Sequence, residues 1–257
     1  MEKNNAIVIV AKDIEENVIT YYEDVQNADV FLLSPNINHR LRERFPNIIF
    51  LEDNEILGRV KYPKIEKTKI PNWYYQQFLK YSVVLDLYKK KSYNLVHIVD
   101  GDSYIKKALI FEEKIFYTSK IIEKPYNNFI HKLNYKFCFE TRNFITNQMC
   151  YNPKFLEEML NKIIPDQGDW IDYFCDLIIN NEDCWFSEYQ VYANFVKCEF
   201  NILQEPIKVF RRLDLINVSV SSALNKYSVV SNEVNHKSSI LHTLRAYTYY
   251  ILNINLG

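Results

Sequence analysis

Glycine is scarce in this chain: among 257 residues only Gly58, Gly101, Gly168 and Gly257 occur. No two of them stand at the spacing of a G-x-G-x-x-G turn, a P-loop or a G-x-S-x-G nucleophile elbow, so the backbone cradles of those enzyme classes are excluded. A nucleotide bound here has to be held by side chains, a metal or helix ends. The five cysteines, Cys138, Cys150, Cys175, Cys184 and Cys198, contain no C-x-x-C pair and are odd in number. That pattern indicates neither a zinc knuckle nor a disulfide framework and suits a reducing cytoplasm. One-sided charge is missing as well. A formal net charge of -1 supplies no field to gather nucleic acid, and no interleaving of aromatic and basic residues offers a single-strand platform, so no nucleic-acid partner is expected. The first apolar run, residues 6–10, is too short and too soon followed by charge for a signal peptide. No stretch is long enough to span a bilayer.

What the chain does have is apolar bulk, 48% of its residues, with 20 tyrosines and 16 phenylalanines, enough for a full core in one compact unit. Residues 6–10 (AIVIV) read as a strand apolar on both faces and 95–99 (LVHIV) as one apolar throughout, with 29–33 (DVFLL) and 47–51 (NIIFL) as two further strands, separated by polar segments with helical character. This alternation predicts an α/β fold with a mixed, mainly parallel sheet flanked by helices. Pro71 introduces a long helix over 72–90, whose Tyr74, Phe78, Tyr81, Leu85 and Tyr88 form one apolar stripe, with Gln76, Gln77 and Lys80 on another face. Further strands are expected at 115–118, 136–139 and 144–149. Helices are expected at 153–163, 170–179, 187–195 and 238–253, the last docking through Ile240, Leu244, Tyr247 and Ile251. A single domain spanning 1–257 is expected, with a nucleotide-binding half, 1–103, and an acceptor half, 104–257.

The chemistry-bearing candidate is Asp100-Gly101-Asp102, delivered at the carboxyl end of an apolar strand. Two hard oxygen ligands one residue apart suit Mg²⁺ or Mn²⁺ bridging a diphosphate, and the small Gly101 is expected to let a substrate approach. The same triplet also suits a solvated acidic turn. Its weight comes from the strand before it, because ligand sites in open α/β sheets gather at the carboxyl ends of central strands.

The segment Trp73-Tyr74-Tyr75-Gln76-Gln77-Phe78-Leu79-Lys80, the apolar strand with Asp100-Gly101-Asp102, the Phe144-Ile145-Thr146 segment with Met149, and Trp185-Phe186-Ser187-Glu188-Tyr189 follow one another in an order that resembles bacterial capsule and surface-polysaccharide glycosyltransferases of GT-A fold. The resemblance spans roughly residues 6 to 196 in order and spacing. It implies a nucleotide-sugar donor, UDP-linked by expectation, whose diphosphate is held by a metal on Asp102. It further implies that Asp100 touches the ribose or the metal and that Asp13 meets the base. Gln76, Gln77 and Lys80 would reach the donor sugar and diphosphate, and a late histidine, His236, would add a metal ligand. Where that group often carries histidine after the F-I-T strand, this chain has Asn147-Gln148.

Glu188 follows Ser187 and admits two readings: a first-turn carboxylate favoured by the helix dipole, or a general base on the acceptor hydroxyl. Arg211-Arg212 match phosphate oxygens in geometry and equally suit an exposed basic pair. The basic loop 58–71 is expected by default as a solvated, mobile loop, and otherwise as a lid or as a face toward anionic lipid, giving peripheral contact at the inner face of the membrane for an oligosaccharide or lipid-linked glycan acceptor. Two other functions fit the same residues: a metal-dependent nucleotidyl- or phosphotransferase, and a non-catalytic glycan- or protein-binding module.

Overall fold

The computed structural model describes residues 4–138, 141–165, 168–232 and 240–252. Its elements run β1 (Asn5–Val10), α1 (Glu16–Glu23), β2 (Ala28–Ser34), α2 (His39–Arg44), β3 (Ile48–Glu52), α3 (Asp53–Ile56), α4 (Pro71–Lys91), β4 (Leu95–Asp100) and β5 (Ser103–Ile105). There follow β6 (Ile115–Ile121), α5 (Lys124–Lys132), β7 (Arg142–Asn143), β8 (Gln148–Tyr151), α6 (Pro153–Ile163), α7 (Trp170–Asn180) and α8 (Glu188–Phe200). The chain continues through β9 (Gln204–Pro206), β10 (Val209–Arg211), α9 (Val220–Lys226), β11 (Val229–Ser231) and α10 (Ile240–Leu252).

The main sheet has the order β3-β2-β1-β4-β8, parallel except for β8. Helices cover both faces, which is the mixed, mainly parallel α/β architecture expected from the strand and helix alternation. Residues of β1 alternate between two cores. Ala6, Val8 and Val10 pack with α4, α6, α7 and α8, whereas Ile7, Ile9 and Ala11 pack with α1, α9 and the small sheet β10-β11-β5. The chain moves outward from β1 to β2 and β3, then returns through α4 to β4 on the other side of β1. Between β1 and β4 lies the topological switch point, where the connections that leave neighbouring strands run to opposite sides and open a crevice.

Helix α4 delivers the return. Pro71 opens it, and Ser92, at φ 52°, closes it in the left-handed conformation behind Lys89, Lys90 and Lys91, whose charges suit a helix carboxyl end. Tyr74, Phe78 and Tyr81 are buried as the stripe predicts, and Tyr75, Leu79, Val83, Val84 and Leu87 are buried too, so the helix is enclosed on more than one face. Each such side chain contributes roughly 1.5–3 kcal/mol of transfer free energy.

Several expectations need correction. Residues 136–138 form no strand. The strand expected at 144–149 is interrupted: Asn147, at φ 61°, breaks the extended run, and pairing with β4 begins only at Gln148. On α10 Ala246 is buried, with Tyr249 and Tyr250 packed on the same core, while Tyr247 and Ile251 of the expected stripe are exposed and the side chains of Ile240 and Leu244 lie outside the described ones. Cys138 and Cys198, 60 residues apart, form a disulfide that their spacing did not indicate. Loop 58–71 is anchored, with Tyr62, Ile65 and Thr68 buried, Arg59 paired to Glu66 at 2.9 Å and Lys64 to Asp176 at 2.7 Å. Among the described residues, no helix is long and apolar enough to cross a membrane.

Candidate active site

The carboxyl ends of β1 and β4 meet directly. Asp100 is in register with Val10, and the Gly101 amide donates to the Val10 carbonyl at 2.9 Å. A Cβ on Gly101 would lie 2.3 Å from the Ala11 Cβ and 2.8 Å from its Cα, so the strand next door, rather than an incoming substrate, is what demands glycine here. The turn also joins two sheets, since β4 enters it from the main sheet and β5 leaves it into the small one.

On the α4 side of the turn three charges cluster, Lys80 and Glu188 buried and Asp100 partly exposed. The Lys80 ammonium, 2% exposed, lies 2.6 Å from Asp100 Oδ1 and 2.7 Å from Glu188 Oε1. It also donates to the Tyr189 hydroxyl at 3.1 Å, and that hydroxyl donates to Asp100 Oδ1 at 3.1 Å. Gln77, with its amide nitrogen turned inward, donates to the Glu188 carboxylate, and the Tyr81 hydroxyl donates to the Glu188 carbonyl at 2.6 Å. Gln77 and Lys80 thus share the face expected from their i, i+3 spacing, and both point at Glu188.

Glu188 is the first residue of α8, capped by Ser187, whose hydroxyl accepts from the Gln190 amide at 3.4 Å. The capping geometry and the helix dipole both favour a carboxylate at this position. Its side chain has no exposed surface. An acceptor hydroxyl would reach this carboxylate only after the cluster around it rearranged.

Two carboxylates and one ammonium leave the cluster with one excess negative charge. Burial works against the Lys80 cation, but Asp100 and Glu188 outweigh it and hold the ammonium well above the usual lysine range. Burial pushes the Glu188 carboxyl up, with Lys80 pulling back less strongly, so Glu188 is the acid of this cluster that binds a proton more readily than an ordinary glutamate. Tyr189 is driven well above the ordinary tyrosine range by burial first and Asp100 second, and it stays a neutral donor.

Asp102 faces a different set of groups. Its carboxylate accepts from the Ser103 hydroxyl at 2.9 Å, and its carbonyl accepts from the Asn232 amide at 3.0 Å. The expected Arg211-Arg212 pair is split. Arg211 donates to Asn147 Oδ1 at 3.2 Å, whereas Arg212 lies 3.4 Å from Asp214. Asp13 is exposed and lines a cavity of about 300 Å³ with Lys12, Asn36, Asn38 and Arg40, at the carboxyl ends of β1 and β2. A larger cavity, about 640 Å³, lies between the far half of α4 and α6 and touches none of these residues. Gln76 is half-buried on α4. His236 lies outside the described residues.

Asp100 and Asp102 together supply two carboxylates, and among the described residues no group of three acidic, histidine or cysteine side chains converges on a cation. That donor set fits Mg²⁺ or Mn²⁺, which commonly take one or two protein carboxylates and complete their shell with phosphate oxygens and water. It does not fit a metal enclosed wholly by protein.

Sequence reasoning missed Tyr189, Ser103 and the pairing of Asn147 with Arg211. Ser103 directly follows the acidic triplet and Tyr189 directly follows Glu188, so adjacency was the available signal for both. For Asn147 it was residue type, since asparagine tolerates positive φ better than most side chains.

The chain matches no family model and no curated protein. Among solved structures it is similar to the galactosyltransferase LgtC in complex with donor and acceptor sugar analogs, at 12% identity over 96% of this chain and 95% of that one, with a TM-score of 0.49. It is also similar to the glycosyltransferase GlyE of Streptococcus pneumoniae TIGR4, at 11% identity over 98% of this chain and 62% of that one, with a TM-score of 0.44. These similarities are of fold.

Proposed function

We propose that the chain is a metal-dependent glycosyltransferase that moves a sugar from a nucleoside-diphosphate sugar, UDP-linked in the leading reading, to an oligosaccharide or lipid-linked glycan in surface-polysaccharide assembly. The observation that carries this reading is the switch point itself. There the exposed Asp13 loop and the Asp100-Asp102 turn stand side by side, joined by the Gly101-to-Val10 hydrogen bond. A crevice of this kind suits an extended ligand with a base at one end and a charged group at the other.

In this reading the base occupies the cavity beside Asp13, and the diphosphate lies against Asp102. Asp100 turns one oxygen inward to Lys80, and Gln76 borders the donor sugar. A divalent cation held by Asp102 and Asp100 would neutralise charge on the departing diphosphate. In the transfer the acceptor oxygen bonds to the anomeric carbon. The bond from that carbon to the diphosphate oxygen breaks with its electron pair leaving on the diphosphate, and the hydroxyl proton passes to a base. Lys80, already committed to two carboxylates, serves to fix Asp100. Glu188, enclosed beneath it, acts as the counter-ion that keeps Lys80 charged and in place.

The test is Asp102→Asn with UDP-sugars as donors. Donor turnover in Mn²⁺ is expected to fall at least 10²-fold, as in wild type with excess chelator, while the variant's melting temperature stays close to wild type. Full turnover in either condition removes the metal from the reaction. Release of nucleoside monophosphate rather than diphosphate would instead establish chemistry at phosphorus.

A further inference from the structure

Asp102 is the end of a chain of polar groups that begins at a cation. Arg211, in β10, donates from Nη2 to Asn147 Oδ1 at 3.2 Å. Asn147 Nδ2 donates to Ser103 Oγ at 3.3 Å, and Ser103 Oγ donates to Asp102 Oδ1 at 2.9 Å. The direction of this chain is forced from both ends. A guanidinium can only donate and an ionised carboxylate can only accept, so the amide and the hydroxyl between them each have one arrangement that satisfies both neighbours. Bonds aligned in one direction polarise one another, and the chain brings part of the Arg211 charge to Asp102 through two neutral groups.

The links are shielded. Ser103 is 0% exposed and Asn147 8%, so water competes poorly for either bond. The backbone at Asn147 is shaped to the same end. Its φ of 61° lies in the left-handed region, where a residue other than glycine carries strain that asparagine bears best. That conformation ends the extended run before β8 while the Asn147 carbonyl accepts from the Asp100 amide at 3.1 Å. One residue therefore touches both ends of the acidic turn, Asp100 through its main chain and Asp102 through its side chain and Ser103.

We infer that Asn147 is a positioning residue for Asp102, acting through Ser103 and itself oriented by Arg211, so that the cation-binding carboxylate is presented in one fixed orientation. This rests on the reading of Asp102 as a metal ligand. Partners one bond removed from a ligand commonly change metal affinity by about 10- to 100-fold when they are lost.

The experiment is a Mn²⁺ titration followed by electron paramagnetic resonance of the free ion, on wild type, Asp102→Asn, Asn147→Gly, Ser103→Ala and the Asn147→Gly/Ser103→Ala double variant. Glycine suits the left-handed backbone at 147 and removes only the amide, so its melting temperature is expected to remain near wild type. Asn147→Gly and Ser103→Ala are each expected to weaken Mn²⁺ binding about tenfold. The double variant should fall well short of the product of the two effects, because both changes interrupt one chain. A purely structural role would lower the melting temperature and leave the Mn²⁺ affinity alone. Wild-type affinity in Asn147→Gly, or single effects that multiply in the double variant, overturns the inference. Equal Mn²⁺ binding by wild type and Asp102→Asn removes the metal reading itself, and the inference with it.

Discussion

The two faces of β4 each shelter a basic side chain, with opposite results. On one face Lys80 is packed between Asp100 and Glu188, and the pair of carboxylates holds it well above its ordinary range despite full burial. On the other, His97 is completely buried with no ion pair to a carboxylate among the described residues, and burial drives it down to about 4 against a weaker pull from Gln148. Its Nδ1 accepts from the Phe111 amide at 3.3 Å, which requires the neutral ring. Enclosure alone thus does not decide the charge of a buried base. The counter-charges enclosed with it do.

The largest expected effect breaks the charged side of this comparison. Lys80→Met leaves Glu188 and the inner oxygen of Asp100 without a cation, and unfolding in urea should show a loss of about 3–5 kcal/mol. A loss below 1 kcal/mol would mean that the carboxylates shed their charge without cost.

His97 tests the neutral side through pH. Its folded-state value is lowered from 6.5 to about 4, so between those limits the unfolded chain binds a proton that the folded chain refuses. The stabilisation from keeping this ring neutral is fully present above pH 6.5 and is lost as pH falls toward 4, by about 3 kcal/mol in all. In His97→Phe this part of the acid loss should vanish from a pH series of denaturation curves. An unchanged slope over that window would show that the ring protonates within the fold.

Gly101→Ala probes the strand end by shape instead of charge. With the new Cβ placed 2.3 Å from that of Ala11, β1 and β4 must part, and a cost of about 1–3 kcal/mol is expected by thermal unfolding. The smallest effect sharpens the contrast from outside. Arg59 and Glu66 are paired at 2.9 Å with side chains 37% and 52% exposed, and Glu66→Gln should change stability by no more than about 0.5 kcal/mol. A change as large as that of Lys80→Met would mean that the surface loop, too, has no water to replace the lost charge.

Much of this was legible locally. The helix expected at 72–90 is Pro71–Lys91, and the apolar runs at 6–10 and 95–99 are β1 and β4, because a long periodic or continuous apolar pattern carries its own period and burial. Three-residue strands such as β5, β9, β10 and β11 are too short to carry any period, and on α10 Ala246, Tyr249 and Tyr250 reach the core although the apolar spacing did not single them out. The same division holds at the site. The shared face of Gln77 and Lys80 follows from helical spacing, but their partner Glu188 stands 108 residues beyond Lys80, where no local pattern reaches. Asn147 shows the limit most clearly: six residues with the composition of a strand are divided by one backbone angle, and that angle is set by contacts with the acidic turn and Arg211.

The absence of a side chain at Gly101 has one more consequence. Because the turn of β4 rests directly on Ala11, the strand ends that lead to Asp13 and to Asp102 are held at one spacing by backbone contact alone. In the proposed reading a donor that bridges the two would have to match that spacing, which makes length the first property the crevice sorts by.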